Sequence, residues 1–413
     1  MPSPRSWKPR AAVAASLAQG FAFAAVIGIL GGTASAFFLF GLEWVTDVRL
    51  AHPWLIALLP LAGFAVAWVY LVHGNGSDAG NNLIIDEIHD PKKAVPLRMA
   101  PLVLAGTWIS HLFGASVGRE GTAVQMGGAL ADQLSRLFKR SPFDRRLFLM
   151  AGMSAGFASV FGTPLAGALF GLEVLAIGRL RTDALLPCVT AAVVADRVAL
   201  LWGVHHTAYP IPEFPSVTLL VLISVVLAGL CFGGAGRLFA AAVHGGTAAF
   251  RRLVPYAPLR ALAGGAVIAL ACFLFSAQRY AGLGIPGIVA AFHGPVPAYD
   301  FAAKGGFTIA ALVSGFKGGE VTPLFYIGAT LGNALAPLLH LPFAFVAGLG
   351  FVAVFAGAAN VPIACTVMAM ELFGSGIGLF AGIACVASYL VSGHAGIYRA
   401  QRIGEPKHPV RDR

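Results

Sequence analysis

Charge is what this sequence has least of. Only 11% of its 413 residues are charged, against 58% hydrophobic, and mean hydropathy is +0.80. An average soluble domain carries about a quarter charged residues, so a soluble fold is excluded: it could not hide so much apolar surface. Cysteine is sparse too. Cys188, Cys231, Cys272, Cys365 and Cys385 stand singly in apolar segments, without metal or disulfide spacing, and read as small buried hydrophobes. His205-His206 has no third metal ligand at a recognisable spacing, nor is there a nucleophile, which argues against an intramembrane enzyme. No catalytic residue, metal ligand or cofactor is expected. The first apolar run is too long for the h-region of a cleavable signal peptide, and no soluble regulatory domain is expected after the last span.

What is present is a series of charge-free runs: 11–42, 53–72, 147–172, 214–236, 321–370 and 372–398. Each reaches the roughly 20 residues that cross a bilayer. Residues 321–370 are too long for one span and must turn, with Pro323, Gly328, Gly332, Pro337 and Pro342 as markers. The net charge of +10 needs no nucleic acid, because much of it sits at chain ends and between apolar runs. Arg5, Lys8 and Arg10 precede the first span; Arg399, Arg402, Lys407, Arg411 and Arg413 follow the last; Arg136, Lys139, Arg140, Arg145 and Arg146 form a third cluster. By the positive-inside rule these segments, both termini included, are cytoplasmic.

The two halves repeat one another. Gly118-Arg119-Glu120-Gly121-Thr122 is echoed by Gly318-Gly319-Glu320-Val321-Thr322, and Gly128-Ala129 by Gly328-Ala329, at an offset of 200. Thr163-Pro164-Leu165-Ala166 with Glu173 matches Val361-Pro362-Ile363-Ala364 with Glu371 at 198, and Gly80-Asn81-Asn82-Leu83 with His89 matches Gly284-Ile285-Pro286-Gly287 with His293 at 204. Three blocks in one order indicate duplication. The counterpart of the basic 136–146 loop, Pro337 to Pro342, has no Lys or Arg, so the halves lie in opposite orientation. The expected fold is all-α: a polytopic membrane protein with an inverted-topology repeat and broken, re-entrant helices. Its parts are a tail 1–10, a first repeat 11–205, a second repeat 206–398 and a tail 399–413.

Inverted repeats place the substrate site near the midplane, where broken helices begin. A glycine-rich helix entry leaves free backbone amides and a partial positive charge, which bind anions. Helices opening at Asn81, Glu120 and Glu320 are therefore expected to converge on one partly hydrated anion site, with Thr122 and Thr322 adding hydroxyls. Ionisable groups between apolar spans are costly and mark function. Glu120, itself an anion, can occupy the site and vacate it on protonation; the plainer alternatives are a first-turn glutamate offsetting the dipole or a salt bridge to Arg119. Glu320 is either part of the proton path or a protonated carboxyl bonded to a neighbouring helix. Asn81 and Asn82 also read as local helix caps. Tyr398 reads from its position as an interfacial anchor, with a hydroxyl donor to an ion as the alternative.

Gly118-Arg119-Glu120-Gly121 followed by Gly127-Gly128, the 318–323 and Pro362 blocks and a tyrosine near the C-terminus resemble the CLC family of anion channels and exchangers over about 11–398. The resemblance implies a homodimer with one anion pathway per subunit and Glu120 as external gate. Departures narrow it. The first opening reads Gly80-Asn81-Asn82-Leu83, the second Gly319-Glu320-Val321-Thr322-Pro323, Thr122 follows the gate motif, and Val174 stands where chloride/proton exchangers carry an inner glutamate. These features resemble the bacterial fluoride/proton antiporter branch. It implies a bacterial inner-membrane protein, with fluoride and protons as substrates, Glu120 and Glu320 in proton transfer and gating, and Gly80, Asn81, Gly121, Thr122, Val321, Thr322 and Tyr398 at the anion. Fluoride holds water tightly, so its site needs strong donors. A chloride/proton exchanger or a passive anion channel of the same architecture are the rival readings.

Overall fold

The computed structural model describes residues 10–408; Arg5, Lys8, Arg411 and Arg413 of the expected basic tails lie outside the described residues. Sixteen α-helices occur among those described. The first eight are α1 Arg10–Ala51, α2 Leu59–His73, α3 Asn81–His89, α4 Met99–Leu112, α5 Glu120–Leu137, α6 Pro142–Phe161, α7 Pro164–Glu173 and α8 Leu185–Leu201. The second eight are α9 Leu219–Leu253, α10 Ala257–Leu274, α11 Ile285–His293, α12 Asp300–Ser314, α13 Val321–Leu339, α14 Phe343–Ala359, α15 Pro362–Phe373 and α16 Gly378–Val391. Two short strands, β1 Ala176–Ile177 and β2 Arg402–Ile403, pair in parallel. Among the described residues six helical segments are long and apolar enough to cross a bilayer, including Leu17–Ala51 within α1 and Leu219–Leu253, which is α9.

The halves correspond helix for helix: α3 and α11 both span nine residues and end in histidine. Residue character decides which helices are central. α14 is apolar on every side, and each residue from Ala344 to Ala359 is buried; its counterpart α6 is buried from Phe148 to Phe161. Helices without a polar face belong in a core. On the periphery Phe37, Trp44, Leu61, Leu219 and Phe273 stand exposed, an apolar surface of the kind that faces lipid.

Glycines bring these central helices together. A Cβ on Gly328 would lie 2.0 Å from the Gly350 carbonyl oxygen, and one on Gly127 would lie 2.2 Å from that of Gly152, the small-residue contact that lets membrane helices approach closely. This corrects four of the five turn markers expected within 321–370, while the fifth, Pro342, does stand at a reversal, capping α14. Gly328 and Gly332 lie inside α13, Pro323 in its first turn and Pro337 near its end. The chain instead reverses at His340–Pro342 and at Asn360–Val361, where His340 and Asn360 adopt φ of 54° and 58°.

The inversion is visible in how the ends are tied. On one face Asp132 of α5 accepts from the Val95 amide at 2.8 Å and from Arg145 Nε at 2.5 Å, while Arg145 Nη1 donates to Glu87 at 3.0 Å. On the other face Asn333 of α13 does the equivalent work without charge: its Oδ1 accepts from the Val296 amide at 3.1 Å, and its Nδ2 donates to the Ala291 and Gly294 carbonyls at 2.8 Å. Between the faces the approaches to α5 and α13 meet as an antiparallel bridge, Gly118 pairing with Gly319 through N–H···O contacts of 2.5 and 2.8 Å.

The repeats also exchange carboxylates. Glu173, ending α7, accepts the Ile363 and Ala364 amides of α15 at 3.0 and 2.8 Å. Glu371 of α15 in turn accepts the Leu165 and Ala166 amides of α7 at 2.9 and 2.8 Å. Each satisfies two orphan amides at the other repeat's helix start and meets its positive dipole end. Glu173→Ala is expected to cost about 1–3 kcal/mol for each amide left unpaired. Gly328→Ala, which overlaps a backbone carbonyl, should cost about 1–3 kcal/mol by overpacking, whereas Gly234→Ala, with open space around it, should be near neutral. Thermal unfolding in detergent checks all three; equal melting temperatures for the two alanine-for-glycine variants would refute the close-packing account.

Candidate functional site

Three helix starts converge at the Gly118–Gly319 bridge. Gly80 enters α3 with φ 60°, and Gly318 approaches α13 with φ 147°, backbone conformations that favour glycine. A Cβ on Gly121, in the first turn of α5, would lie 3.2 Å from Asn81 Nδ2 and 3.2 Å from Gly319 Cα. α3, α5 and the approach to α13 are therefore within contact distance, and glycine at 121 keeps that space open. Free amides and dipole ends from several helices thus share one region.

Glu120 is fully buried there. Its carboxylate does not stay on its own helix. Oε2 accepts the Thr322 amide at 3.0 Å and the Arg119 amide at 3.2 Å, and Oε1 accepts the Thr322 hydroxyl at 2.5 Å. The carboxyl group of the first repeat thus accepts donors at the helix start of the second. Arg119 Nε stands 3.6 Å from Oε1, outside hydrogen-bond range, so the ion pair with Arg119 is a minor contact. The two repeated threonines do different work: the Thr122 hydroxyl is 2.7 Å from Thr107 Oγ1 of α4, while Thr322 faces Glu120. Val321 and Thr322 are the first two residues of α13, with Glu320 at its N-cap.

Two spaces lie near these helix starts. A cavity of about 500 Å³ is lined by Gly80, Asn81, Gln125, Lys317, Glu320 and Tyr398. A crevice of about 20 Å³ is lined by Arg119, Glu120, His206, Thr322 and Phe325. Glu320 and Asn81 therefore open to the larger space, and the seated Glu120 carboxylate to the smaller. Asn81 is buried and its Oδ1 has no hydrogen-bond partner. α3 carries no side-chain cap; Gly80 holds the cap position. The capping reading of Asn81 and Asn82 is overturned by this geometry.

Tyr398 is buried, its ring edge-to-face with Phe170 at 6.3 Å between centroids, which corrects the interfacial-anchor reading. The segment after α16 folds inward instead of running along the surface. The Ile397 amide donates to Ala358 O at 2.8 Å, and the Ala400 amide to Asn82 Oδ1 at 3.0 Å. Asn82 thus binds the Tyr398 segment to the helix start that carries Asn81. Sequence reasoning missed Gln125, Lys317 and this tie. Lys317 was visible as an isolated charge three residues before Glu320; Gln125, four residues after Gly121, becomes readable once the start of α5 is known. Asn82→Ala should speed hydrogen exchange in 396–401 while leaving α14 protected, measured by mass spectrometry; unchanged exchange there would show that the Asn82 bond does not hold the segment.

The family model described as voltage gated chloride channel matches residues 62–393. The chain is 63% identical over 398 residues, 95% of its length and 88% of the relative's, to the chloride/fluoride channel protein of Pseudomonas syringae pv. tomato. It is 28% identical to the H(+)/Cl(-) exchange transporter ClcA of Cronobacter sakazakii, over 84% of this chain and 81% of that one. Among solved structures, a CLC-type fluoride/proton antiporter superposes with a TM-score of 0.92 at 36% identity, covering 94% of this chain and 98% of that one. A cyanobacterial Cl-/H+ antiporter at 22% identity, covering 92% of this chain and 96% of that one, shares the fold with a TM-score of 0.80. With its inverted helix starts, its multi-pass architecture and these likenesses, the chain belongs to the voltage-gated chloride channel (CLC) family.

Proposed function

We propose that this protein exports fluoride from the bacterial cytoplasm in exchange for protons, and so confers fluoride resistance. One observation carries the reading: the Glu120 carboxyl group reaches the start of α13, where it accepts the Thr322 amide and hydroxyl, and it lines the small crevice. Protonation removes its charge and weakens its hold on the Thr322 amide, because a neutral carboxyl accepts more weakly than a carboxylate. The vacated site then suits a small anion. Returning the anion outward and the proton inward by the same carboxylate couples the two movements, without covalent chemistry or a cofactor.

The donors fit a strongly hydrated anion. The Thr322 hydroxyl and amide, the amides of Gly121 and Val321, Asn81 Nδ2 and the Tyr398 hydroxyl together replace lost water, with Gly80 and Thr122 shaping the openings. Glu320, on the larger cavity, serves as the inner proton acceptor in place of the glutamate absent at Val174. The relatives add weight, since one is named a chloride/fluoride channel protein and another is a fluoride/proton antiporter. The face carrying Lys92, Lys93, Arg98, Arg145, Arg251, Arg252 and Arg402 is cytoplasmic by the positive-inside rule, with both termini on that side. We assign 11–205 and 206–398 as the repeat units and a homodimer as the working assembly, one pathway per subunit; mass photometry reading a single-chain mass would refute the dimer.

Proteoliposomes recorded for fluoride and pH together test the reading. Fluoride efflux should acidify the vesicle interior in fixed ratio, and Glu120→Gln should abolish both fluxes; proton uptake at the wild-type rate in that variant removes Glu120 from the role. Fluoride flux without proton movement would instead mark a passive channel, and coupled movement of chloride in preference to fluoride a chloride exchanger. Thr322→Val deletes the hydroxyl donor and should raise the KM for fluoride about 10- to 150-fold, equivalent to ~1.5–3 kcal/mol for a bond to a charged group, while Thr322→Ser keeps it. A valine variant with unaltered KM would place fluoride elsewhere.

A further inference from the structure

His205-His206 has no part in the mechanism so far. It lies in the 202–218 connection between α8 and α9. α8 begins shortly after β1, which is on the basic face, and its 17 residues carry the chain about 25 Å to the opposite face. On the orientation proposed above, that face is the outer one.

Two buried nitrogens there lack partners: His206 Nε2 and Arg119 Nε. Orphaned buried polar atoms in a native fold call for an explanation. Both residues line the crevice that holds the Glu120 carboxylate. Its volume of about 20 Å³ suits a single water, which needs two to four polar partners; the two nitrogens and the carboxylate supply them. The imidazole packs closely on Gly162, where an added Cβ would come within 2.5 Å of His206 Cδ2. A wider space of about 250 Å³ adjoins, sharing Arg119, Thr207 and Ile285 with the crevice and lined also by Glu43, Asp47 and His205. Two carboxylates and an exposed histidine, groups that exchange protons with water, therefore stand at the mouth of the passage to Glu120.

We propose that His206 is the outer proton donor to Glu120, passing protons from the 250 Å³ space through one water to the seated carboxylate. The inference rests on the antiport reading above. Nε2 takes a proton from a hydronium ion entering from the outer space, which is left as water, and the ring becomes imidazolium. Imidazolium gives its proton to the bridging water as that water gives one to Glu120, so the imidazole is neutral again, the carboxylate has become a carboxyl, and one proton has moved inward. Loss of the negative charge is what frees Glu120 from Thr322. Arg119, Asp196, His205 and the Val160 carbonyl face the ring, and Glu120, Glu43 and Asp47 stand across the two spaces. Burial first, then Arg119, holds the imidazole below its ordinary range, so it is neutral and able to accept at neutral pH.

The test uses the full-length protein in proteoliposomes. Wild-type flux comes first: absence of coupled fluoride and proton movement would end the antiport reading whatever His206 does. Given coupling, His206→Gln keeps a polar side chain but cannot titrate. Both fluxes should fall together by about tenfold or more at external pH 8, where protons are scarce, and less at pH 5.5, with the coupling ratio and the KM for fluoride unchanged. Imidazole added outside should restore His206→Ala. Wild-type rates for His206→Gln across that range would overturn the proposal, as would an equal loss at every external pH. A correctly folded His206→Ala that imidazole fails to restore would also overturn it; should that variant not fold, the pH profile of His206→Gln decides alone.

Discussion

An acidic side chain held on another repeat's helix start is the interaction on which the rest of this molecule turns. Glu120 leaves its own helix and binds the amide and hydroxyl of Thr322. The hold is strong because donors at a helix start have no other protein partner and the peptide dipoles favour negative charge. In the proposed exchange it is also conditional, since protonation weakens a carboxyl group as an acceptor. Everything around it keeps those two starts facing each other at close range: the Gly118–Gly319 bridge, the space left at Gly121, and the glycine contacts between α5 and α6 and between α13 and α14.

The inverted duplication supplies symmetry, and the function depends on where that symmetry fails. Glu173 and Glu371 cap each other's repeats in matching fashion, so the scaffold is stitched the same way twice. Thr122 and Thr322 occupy matching places, yet one bonds to Thr107 and the other to Glu120. Asp132 and Asn333 secure equivalent loops, with charge and an arginine on one face and a neutral amide on the other.

The Tyr398 segment shows how a pathway borrows rigidity from distant parts of the chain. It is not helical, so its backbone groups must be satisfied from outside. Ala358 and Asn82 do this, one from a central helix of the second repeat and one from the opening helix of the first. The tyrosine hydroxyl and the Asn81 amide are thereby referred to one framework, which keeps the spacing of donors constant around the cavity.

Much of this was legible in the residues. The lack of charge, the long apolar runs and the duplicated Gly-rich blocks determined a membrane-spanning, inverted-repeat helical protein, because lipid admits few alternatives for backbone that must satisfy itself. Helix starts at Asn81, Glu120 and Glu320 were readable from local chemistry, since glycine and polar residues before an apolar run mark such starts. Tertiary structure decided the partners. No local rule says that Glu120 bonds to Thr322 and not to the Arg119 guanidinium, that Glu173 caps α15, that Asn82 holds Ala400 rather than its own helix, or that Gly328 is a packing contact and not a turn. Those outcomes depend on which distant donor arrives within about 3 Å, a distance set by how the two repeats dock and by no residue acting alone.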